Sequence, residues 1–249
     1  MLFCATDFLY FRYFDRMKNM FRKYLAFNIV FALIALLQLL SIYENIEPLR
    51  MASKVAITLS LLLLLSLGTK LKGRFHKRIF AGLVFAMAGD IFLLSSTPDY
   101  FMAGLGSFLI AHLCYISAFY LDFRSAPELD KKGARLAIFF GIVVSCGIYF
   151  WLRPSLGAMR LPVLVYIFVI TLMMMMAAFR NQRVNAISFK LILCGAVCFM
   201  ISDAVLAGNR FVVHFSGEDL IVMFSYMLAQ YLIVMGAVER KLISSAATL

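Results

Sequence analysis

AGLVFAMAGDIFLLS, residues 81–95, carries a carboxylate, Asp90, inside an apolar run of membrane-spanning length. A second stretch, CGAVCFMISDAVLAG at residues 194–208, does the same with Asp203. The two stretches align at a fixed offset of 113 positions, with five identities in fifteen that include both aspartates. A carboxylate at the centre of a bilayer costs at least ~2.5 kcal/mol, so two of them at equivalent points predict that the chain uses both.

The composition predicts an all-α, polytopic integral membrane protein. Of the 249 residues, 63% are hydrophobic and only 15% are charged. A hydrocarbon core about 30 Å thick is crossed by about 20 helical residues, and a spanning segment must be a helix or part of a closed barrel. The apolar runs are continuous rather than alternating, which favours helices. About eight spans are predicted: Tyr24–Tyr43, Met51–Leu71, Ile79–Ser95, Tyr100–Leu121, Arg135–Leu152, Leu161–Phe179, Ile187–Ala207 and Leu220–Ala237.

The basic residues predict the orientation of this bundle. With a cytoplasmic amino terminus, all but five of the 24 Lys and Arg residues fall on the inner side. Such a positive-inside bias indicates that both termini are cytoplasmic, in agreement with an even number of spans. It also accounts for the net charge of +11 without nucleic acid, which is not expected as a partner. The five outer residues are Arg50, Lys54, Arg153, Arg160 and Arg210.

Three segments are predicted along the chain. Residues 1–23, rich in aromatic and basic side chains, are interpreted as an interfacial segment. Residues 24–238 form the transmembrane domain, and residues 239–249 form a cytoplasmic tail. The offset between the two aspartates suggests a 4+4 internal repeat. The expected location is a multi-pass position in a membrane, the inner membrane if the chain is bacterial, and protein partners are left open.

The cysteines and histidines argue against a metal site. Cys194 and Cys198 share one helix face, but the chain has only three histidines, and His76 and His214 fall in loops on opposite sides. A zinc site needs more ligands than this arrangement brings together, so no metal and no cofactor are expected. The cysteines are interpreted as buried thiols: Cys4, Cys114, Cys146, Cys194 and Cys198.

A few other polar side chains lie within the predicted spans. His112 and Tyr115 face one way at a spacing of three residues, and Tyr226 and Gln230 do so at a spacing of four. Each pair is explained equally well by interhelical hydrogen bonds. Lys54, near the outer end of the second span, either snorkels or takes part in a site. At 1.5 Å per residue, Asp90 and Asp203 lie ~18 and ~20 Å from the inner side, and His112 lies ~20 Å from the outer side. All three fall within the hydrocarbon zone, which predicts one buried polar site lined by spans two, three, four, seven and eight.

Four stretches carry a family resemblance: GDIFLL at 89–94, AHLCYISAF at 111–119, SDAVLAGNRF at 202–211 and YMLAQYLI at 226–233. Their order and spacing resemble the YhhN-type lysoplasmalogenase family of multi-span membrane proteins, from about Lys23 to Gly236. One departure is visible. The family tends to have Lys-Pro early in the second span, whereas Lys54 is followed here by Val55.

The resemblance implies hydrolysis of the vinyl ether bond of a lysoplasmalogen to a fatty aldehyde and a glycerophospho-headgroup, by carboxylate acid/base catalysis. Asp90 and Asp203 are the expected catalytic residues, without an assignment of which is the acid. Lysophospholipid substrate and bilayer lipids are the expected partners. The expected substrate-binding residues are Lys54, His112, Tyr115, Ser202, Asn209, Tyr226 and Gln230.

Two other functions stay open at the level of sequence. Paired intramembrane carboxylates and a histidine are also typical of a proton-coupled transporter. A non-catalytic lysolipid-binding membrane protein is the other alternative. The headgroup preference, and the use of ester or amide lysolipids in place of vinyl ethers, are not predicted.

Overall fold

The computed structural model describes residues 18–94, 97–126, 130–214 and 216–243. Residues 1–17 of the predicted interfacial segment and 244–249 of the predicted tail lie outside this part of the chain. Within it, residues 18–23 are helical, and eight long helices follow. They are α1 (Leu25–Tyr43), α2 (Glu47–Thr69), α3 (Gly73–Phe92), α4 (Pro98–Phe123), α5 (Lys131–Leu152), α6 (Arg160–Ala178), α7 (Ala186–Phe211) and α8 (Glu218–Val238).

The prediction of an all-α polytopic bundle is confirmed. Each predicted span corresponds to one helix, and seven of the helices are long and apolar enough to cross a membrane. The exception is α3, whose amino-terminal turns carry Arg74, Lys77 and Arg78 and whose last turn contains Asp90. The cytoplasmic position of the termini stays a prediction.

Several helices extend beyond their apolar runs. α2 begins at Glu47 rather than Met51, with Pro48 in its first turn, where a residue without an N–H is tolerated. α3 begins at Gly73 rather than Ile79. α7 continues to Phe211 rather than Ala207, which places Asn209 and Arg210 in its last turns. Hydropathy marks only the apolar part of each helix, whereas the backbone hydrogen bonds continue into polar residues.

Glycines allow the two most extensive helix pairs, α3 with α4 and α7 with α8. A Cβ on Gly82 would collide with the ring of Tyr115 on α4. A Cβ on Gly195 would lie 2.9 Å from the backbone oxygen of Ala229 on α8. Small residues at such interfaces let membrane helices approach closely. Gly82 and Gly195 were aligned by the 113-residue offset, so equivalent glycines serve equivalent interfaces.

Several helix contacts recur after a shift of four helices, although in the described part of the chain the packing of α1 on α8 has no counterpart of similar extent between α5 and α4. The 4+4 repeat stays a prediction. α1 packs on α2 as α5 packs on α6, and α2 packs on α3 as α6 packs on α7. Across the two halves, α2 packs on α8, and α6 packs on α4. A shift of four helices converts the first of these cross-half pairs into the second, so the halves exchange equivalent contacts.

A buried ionic cluster around Asp122 joins several helices at one end of the bundle. Asp122, at the end of α4, accepts hydrogen bonds from Nε of Arg180 at 2.8 Å and from Nε of Arg240 at 2.7 Å. Arg180 also donates to the hydroxyl of Ser188 on α7. Burial lowers the pKa of Arg180 to about 10 while Asp122 acts in the opposite sense, so this arginine stays charged at neutral pH. The cluster therefore joins α4, the α6–α7 connection, α7 and the residues after α8.

The prediction of buried cysteines is wrong for two positions. Cys146 and Cys194 are exposed on the surface of the bundle, while Cys114 and Cys198 are partly buried. All four are free thiols, and Cys4 lies outside the described residues. The reason is that the outer surface of a membrane bundle faces lipid tails, which are as apolar as a protein interior. A thiol on a spanning helix can therefore face either way.

Candidate active site

Asp90 is buried in an ion pair near the end of α3. Its side chain is only 2% exposed, and its Oδ1 lies 3.4 Å from Nζ of Lys54 on α2. Its Oδ2 accepts a hydrogen bond from the hydroxyl of Tyr226 on α8 at 2.6 Å, and Thr58 Oγ1 is 3.5 Å from the same oxygen. Both carboxylate oxygens thus have polar partners, as an intramembrane carboxylate requires.

Asp203 has a different set of partners. The hydroxyl of Tyr166 on α6 donates to its Oδ2 at 2.6 Å, and Nε2 of His112 on α4 lies 3.8 Å from that oxygen. Among the described residues, no lysine or arginine forms an ion pair with Asp203. The two aspartates are equivalent in the sequence alignment but not in their electrostatic surroundings.

His112 is held by packing rather than by hydrogen bonds. Its side chain is fully buried, and within the described residues neither ring nitrogen has a hydrogen-bond partner. Its ring meets those of Tyr166 and Phe199 edge-on, with centroids 5.5 and 4.7 Å away. A separation of 3.8 Å from Asp203 is too long for a hydrogen bond. Nε2 is therefore directed at the carboxylate without being bonded to it.

A chain of hydrogen bonds orients Tyr226. Tyr115 donates its hydroxyl to Oε1 of Gln230 at 2.8 Å, and Nε2 of Gln230 lies 3.3 Å from the hydroxyl oxygen of Tyr226. Since the Gln230 amide donates to that oxygen, the Tyr226 proton is directed to Asp90. Tyr115 and Gln230, both fully buried, thus act on the site through Tyr226.

Both aspartates line one polar cavity of about 230 Å³. All five of the spans expected at the site contribute to its wall, and α1 contributes as well. Three cations and three carboxylates face it, an unusual density of charge for a membrane bundle. The lining is Gln38, Ile42, Arg50, Lys54, Asp90, Leu93, Phe101, Phe108, Ser202, Asp203, Leu206, Asn209, Arg210, Asp219, Val222, Met223 and Tyr226.

An apolar slot of about 50 Å³ lies on the other side of Asp203. Its wall is formed mainly by aliphatic and aromatic side chains of α4, α5, α6 and α7, and Asp203 is its one ionisable carboxylate. A third space, the α4–α6 groove of about 310 Å³, adjoins it. Leu105 and Tyr166 line both the slot and the groove. The groove is lined by Met102, Leu105, Gly106, Leu109, Leu161, Pro162, Val165 and Tyr166.

The remaining predicted residues are Ser202, Asn209 and Lys54, and all three line the polar cavity. Ser202 lines the cavity and donates to the backbone oxygen of Val222 at 3.0 Å. Asn209 lines the cavity near the end of α7, where its Oδ1 lies 2.9 Å from Nδ1 of His214. Lys54 lines the cavity and forms an ion pair with Asp90.

Sequence reasoning missed Tyr166 and Thr58. Each had a signal in the chain: Tyr166 is a tyrosine within an apolar span, and Thr58 follows Lys54 by four residues, on the same helix face. It also missed Arg50 and Asp219, which pair across the cavity mouth at 3.0 Å. Arg50 is on α2 and Asp219 is on α8, 169 positions further along the chain. The pairing is therefore visible only in the fold.

Comparison with known proteins places the chain in a family. The model of the YhhN family matches residues 49–237. A protein named lysoplasmalogenase from Mycobacterium tuberculosis is 32% identical over 155 residues, which are 58% of this chain and 57% of the relative. The human and bovine proteins named lysoplasmalogenase TMEM86A are 34% and 33% identical over 168 residues, 66% of each chain.

These matches span between 57% and 66% of the length of the relatives. No solved structure matches the chain. The family model, in contrast, covers α2 to α8, and with them every helix that contributes a partner to Asp90 or Asp203. The chain belongs to the YhhN family.

Proposed function

We propose that the chain is a membrane-embedded hydrolase that cleaves the vinyl ether bond of lysoplasmalogens, releasing a fatty aldehyde and a glycerophospho-headgroup. The relatives named lysoplasmalogenase support this reaction. The observation that carries it is the position of Asp203, which lines both the polar cavity and the apolar slot. A lysoplasmalogen has its vinyl ether at the boundary between its polar glycerol and its hydrocarbon chain. A substrate lying across the two spaces would bring this bond to Asp203.

The chemistry requires one proton donor and one water molecule. Protonation of the vinyl carbon next to the hydrocarbon chain gives an oxocarbenium ion on the carbon bonded to oxygen. Water adds to that carbon and loses a proton. The resulting hemiacetal collapses to the aldehyde and the free glycerol hydroxyl. A general acid and a general base placed on either side of the bond are sufficient for this sequence.

The surroundings of the aspartates suggest their roles. Among the described residues, Asp203 has no lysine or arginine partner. Tyr166 donates to its Oδ2, which leaves Oδ1 to carry and deliver the proton. Asp90 has its negative charge balanced by Lys54. We assign to Asp90 the stabilisation of the cation and the acceptance of the proton from water. Nε2 of His112 and the hydroxyl of Tyr166 both face Oδ2 of Asp203. We assign to His112 the positioning of this carboxyl.

The α4–α6 groove supplies room for the hydrocarbon chain. A cavity needs about 10–15 Å³ to hold one water molecule, so the slot of about 50 Å³ holds only the first part of a long chain. The chain would continue past Leu105 and Tyr166 into the groove. Met102 and Leu161 at the rim of the groove are 41% and 69% exposed on the bundle surface. Substrate would therefore enter sideways from the bilayer, which is the inner membrane if the chain is bacterial.

The test is to incubate the purified protein with a lysoplasmalogen and with its saturated alkyl-ether analogue. Only the vinyl ether should yield aldehyde, because the saturated ether has no double bond to protonate. In D2O, one deuterium should appear on the carbon beside the aldehyde. Aldehyde without that deuterium would exclude the protonation step. Transport of either lipid across a sealed vesicle, without consumption, would favour the transporter alternative.

A further inference from the structure

The outer end of the polar cavity, which is the end that the predicted orientation places outside, carries the charged side chains of Arg50, Asp219 and Arg210. Arg50 and Asp219 face each other there in an ion pair of 3.0 Å, with side chains 30% and 54% exposed. Arg210, in the last turn of α7, lines the same end of the cavity. Within the described residues it forms no ion pair. Its guanidinium carbon lies 4.9 Å from the ring centroid of Phe101, which holds it against the cavity wall.

The charges of the cavity can be paired off residue by residue. Lys54 is balanced by Asp90, and Arg50 is balanced by Asp219. Asp203, the third carboxyl of the cavity, carries the proton in the proposed mechanism and is then uncharged. Arg210 is the cation that remains, and a phosphodiester carries the single negative charge that would balance it. A guanidinium presents its N–H donors in a planar fork that matches two phosphate oxygens. Arg50 contacts only Oδ2 of Asp219, so the other oxygen of this carboxylate can accept a hydrogen bond from an ammonium group.

The distance between the reacting bond and this end of the cavity fits a glycerophospho-headgroup. Asp203 and Arg210 are seven residues apart on α7, which is about 10 Å along the helix axis. In a lysoplasmalogen, six bonds join the vinyl carbon to the phosphorus. An extended chain advances about 3.3–3.6 Å for every three bonds, so these six bonds span ~7 Å. The arginine side chain bridges the remainder.

We propose that the outer end of the polar cavity is a binding site for a zwitterionic phosphodiester headgroup. Arg210 binds the phosphate, and Asp219 binds the amine. The inference rests on the proposed function for the placement of the vinyl ether at Asp203. Its test is a binding measurement, which does not depend on turnover.

The experiment measures the affinity of an alkyl-ether lysophosphatidylethanolamine for the full chain in detergent. An alkylglycerol with the same hydrocarbon chain and no phosphate is the reference ligand. Arg210→Gln should weaken binding of the phospholipid about 10- to 100-fold, the range expected for lost hydrogen bonds to a charged group. It should leave the affinity for the alkylglycerol unchanged. Arg210→Lys keeps the charge and should retain more of the affinity than Arg210→Gln.

Arg160→Gln is the matched control. Arg160 is on the same predicted side of the membrane and is exposed, but it lines none of the three spaces described above. Its substitution should leave both affinities unchanged. An Arg210→Gln variant that binds the phospholipid as well as the unchanged protein does, or that loses both ligands equally, would overturn the phosphate assignment.

Asp219→Asn tests the amine. The unchanged protein should bind the ethanolamine lysolipid more tightly than one with a glycerol headgroup. In the variant, the ratio of these two affinities should fall to half of its value or less. An unaltered ratio would overturn the role of Asp219. Binding that follows these expectations, with no release of aldehyde from a lysoplasmalogen, would support the headgroup site while rejecting the hydrolase.

Discussion

Asp90 and Asp203 take their polar partners from equivalent helices of the two halves of the bundle. The partners of Asp90 lie on α2 and α8, and those of Asp203 lie on α6 and α4. A shift of four helices converts α2 into α6 and α8 into α4. Each carboxylate is thus held by one helix of its own half and one helix of the other.

The partners themselves differ in chemistry. From α2 the partner is the ammonium of Lys54, whereas from the equivalent helix α6 it is the phenol of Tyr166. From α8 the partner is the phenol of Tyr226, whereas from α4 it is the imidazole of His112. An approximately repeated backbone therefore offers two carboxylates with unlike surroundings, which is the condition for one acid and one base in a single cavity.

Asp203→Asn should reduce aldehyde release by at least about 100-fold, because an amide cannot deliver the proton that general acid catalysis requires. Asp90→Asn should reduce it as well. Each variant should still bind the alkyl-ether lysolipid, which separates loss of chemistry from loss of folding. Turnover of either folded variant at the unchanged rate would contradict the two-carboxylate mechanism.

Lys54→Met should lower the free energy of unfolding by about 3–5 kcal/mol, because it leaves the carboxylate of Asp90 buried without its cation. The double variant Lys54→Met, Asp90→Asn should be more stable than Lys54→Met alone, since neither group is then charged. Thermal or denaturant unfolding in detergent measures both. Additive effects of the two substitutions would show that the ion pair is not formed.

Tyr166→Phe should lower the rate constant of turnover about 10-fold or more while leaving the affinity for the alkyl-ether lysolipid unchanged. It removes a hydrogen bond that strengthens as Asp203 gives up its proton and becomes charged. Tyr149→Phe is the control, because the hydroxyl of Tyr149 makes no hydrogen bond within the described part of the chain. Steady-state kinetics of both variants provide the comparison. Equal rates in the two variants would exclude a positioning role for Tyr166.

Gly106→Leu should raise KM for long-chain lysoplasmalogens and affect short-chain substrates less, because the added side chain fills the α4–α6 groove. No atom lies within 4 Å of a Cβ built on Gly106, so the substitution should not disturb packing. Gly147→Leu is matched to it: Gly147 is a glycine of α5 with the same open surroundings, and it lies outside the groove. An equal response of the two variants would place the hydrocarbon chain elsewhere.

Activity should survive extensive treatment with EDTA or phenanthroline. Among the described residues, no group of three or more His, Cys, Asp or Glu side chains lies close enough together to hold a metal ion. The measurement is aldehyde release before and after stripping, with readdition of metals. Loss of activity that a metal restores would turn Asp90, Asp203 and His112 from acid/base groups into ligands.

The number of helices could be predicted from the sequence, because each apolar run needs about 20 residues to cross a bilayer. Their ends could not. α3 begins at Gly73, six residues before the apolar run at Ile79, since helical hydrogen bonds form equally well in the basic segment between them. The outward direction of Cys146 and Cys194 was missed for a related reason. An apolar sequence pattern does not distinguish a helix face that contacts lipid from one that packs against protein.

The aspartates could be predicted as site residues from their depth, but their partners could not. Lys54 and Tyr226 line the same cavity as both carboxylates. Which one they meet depends on the rotation and tilt of α2 and α8 about their axes, and packing decides both. Tyr166 carries no motif, and only the packing of α6 on α7 brings its hydroxyl to Asp203.

The two spaces that meet at Asp203 differ in polarity, and this affects the direction of the proposed reaction. The fatty aldehyde would form on the side of the α4–α6 groove and dissolve in the bilayer. The glycerophospho product would form in the polar cavity, whose outer end carries exposed charged groups, and diffuse into water. The aldehyde would thus be diluted in the bilayer and the glycerophospho product in water, so the two products would separate. Partitioning alone would then oppose recombination, with no coupled source of energy.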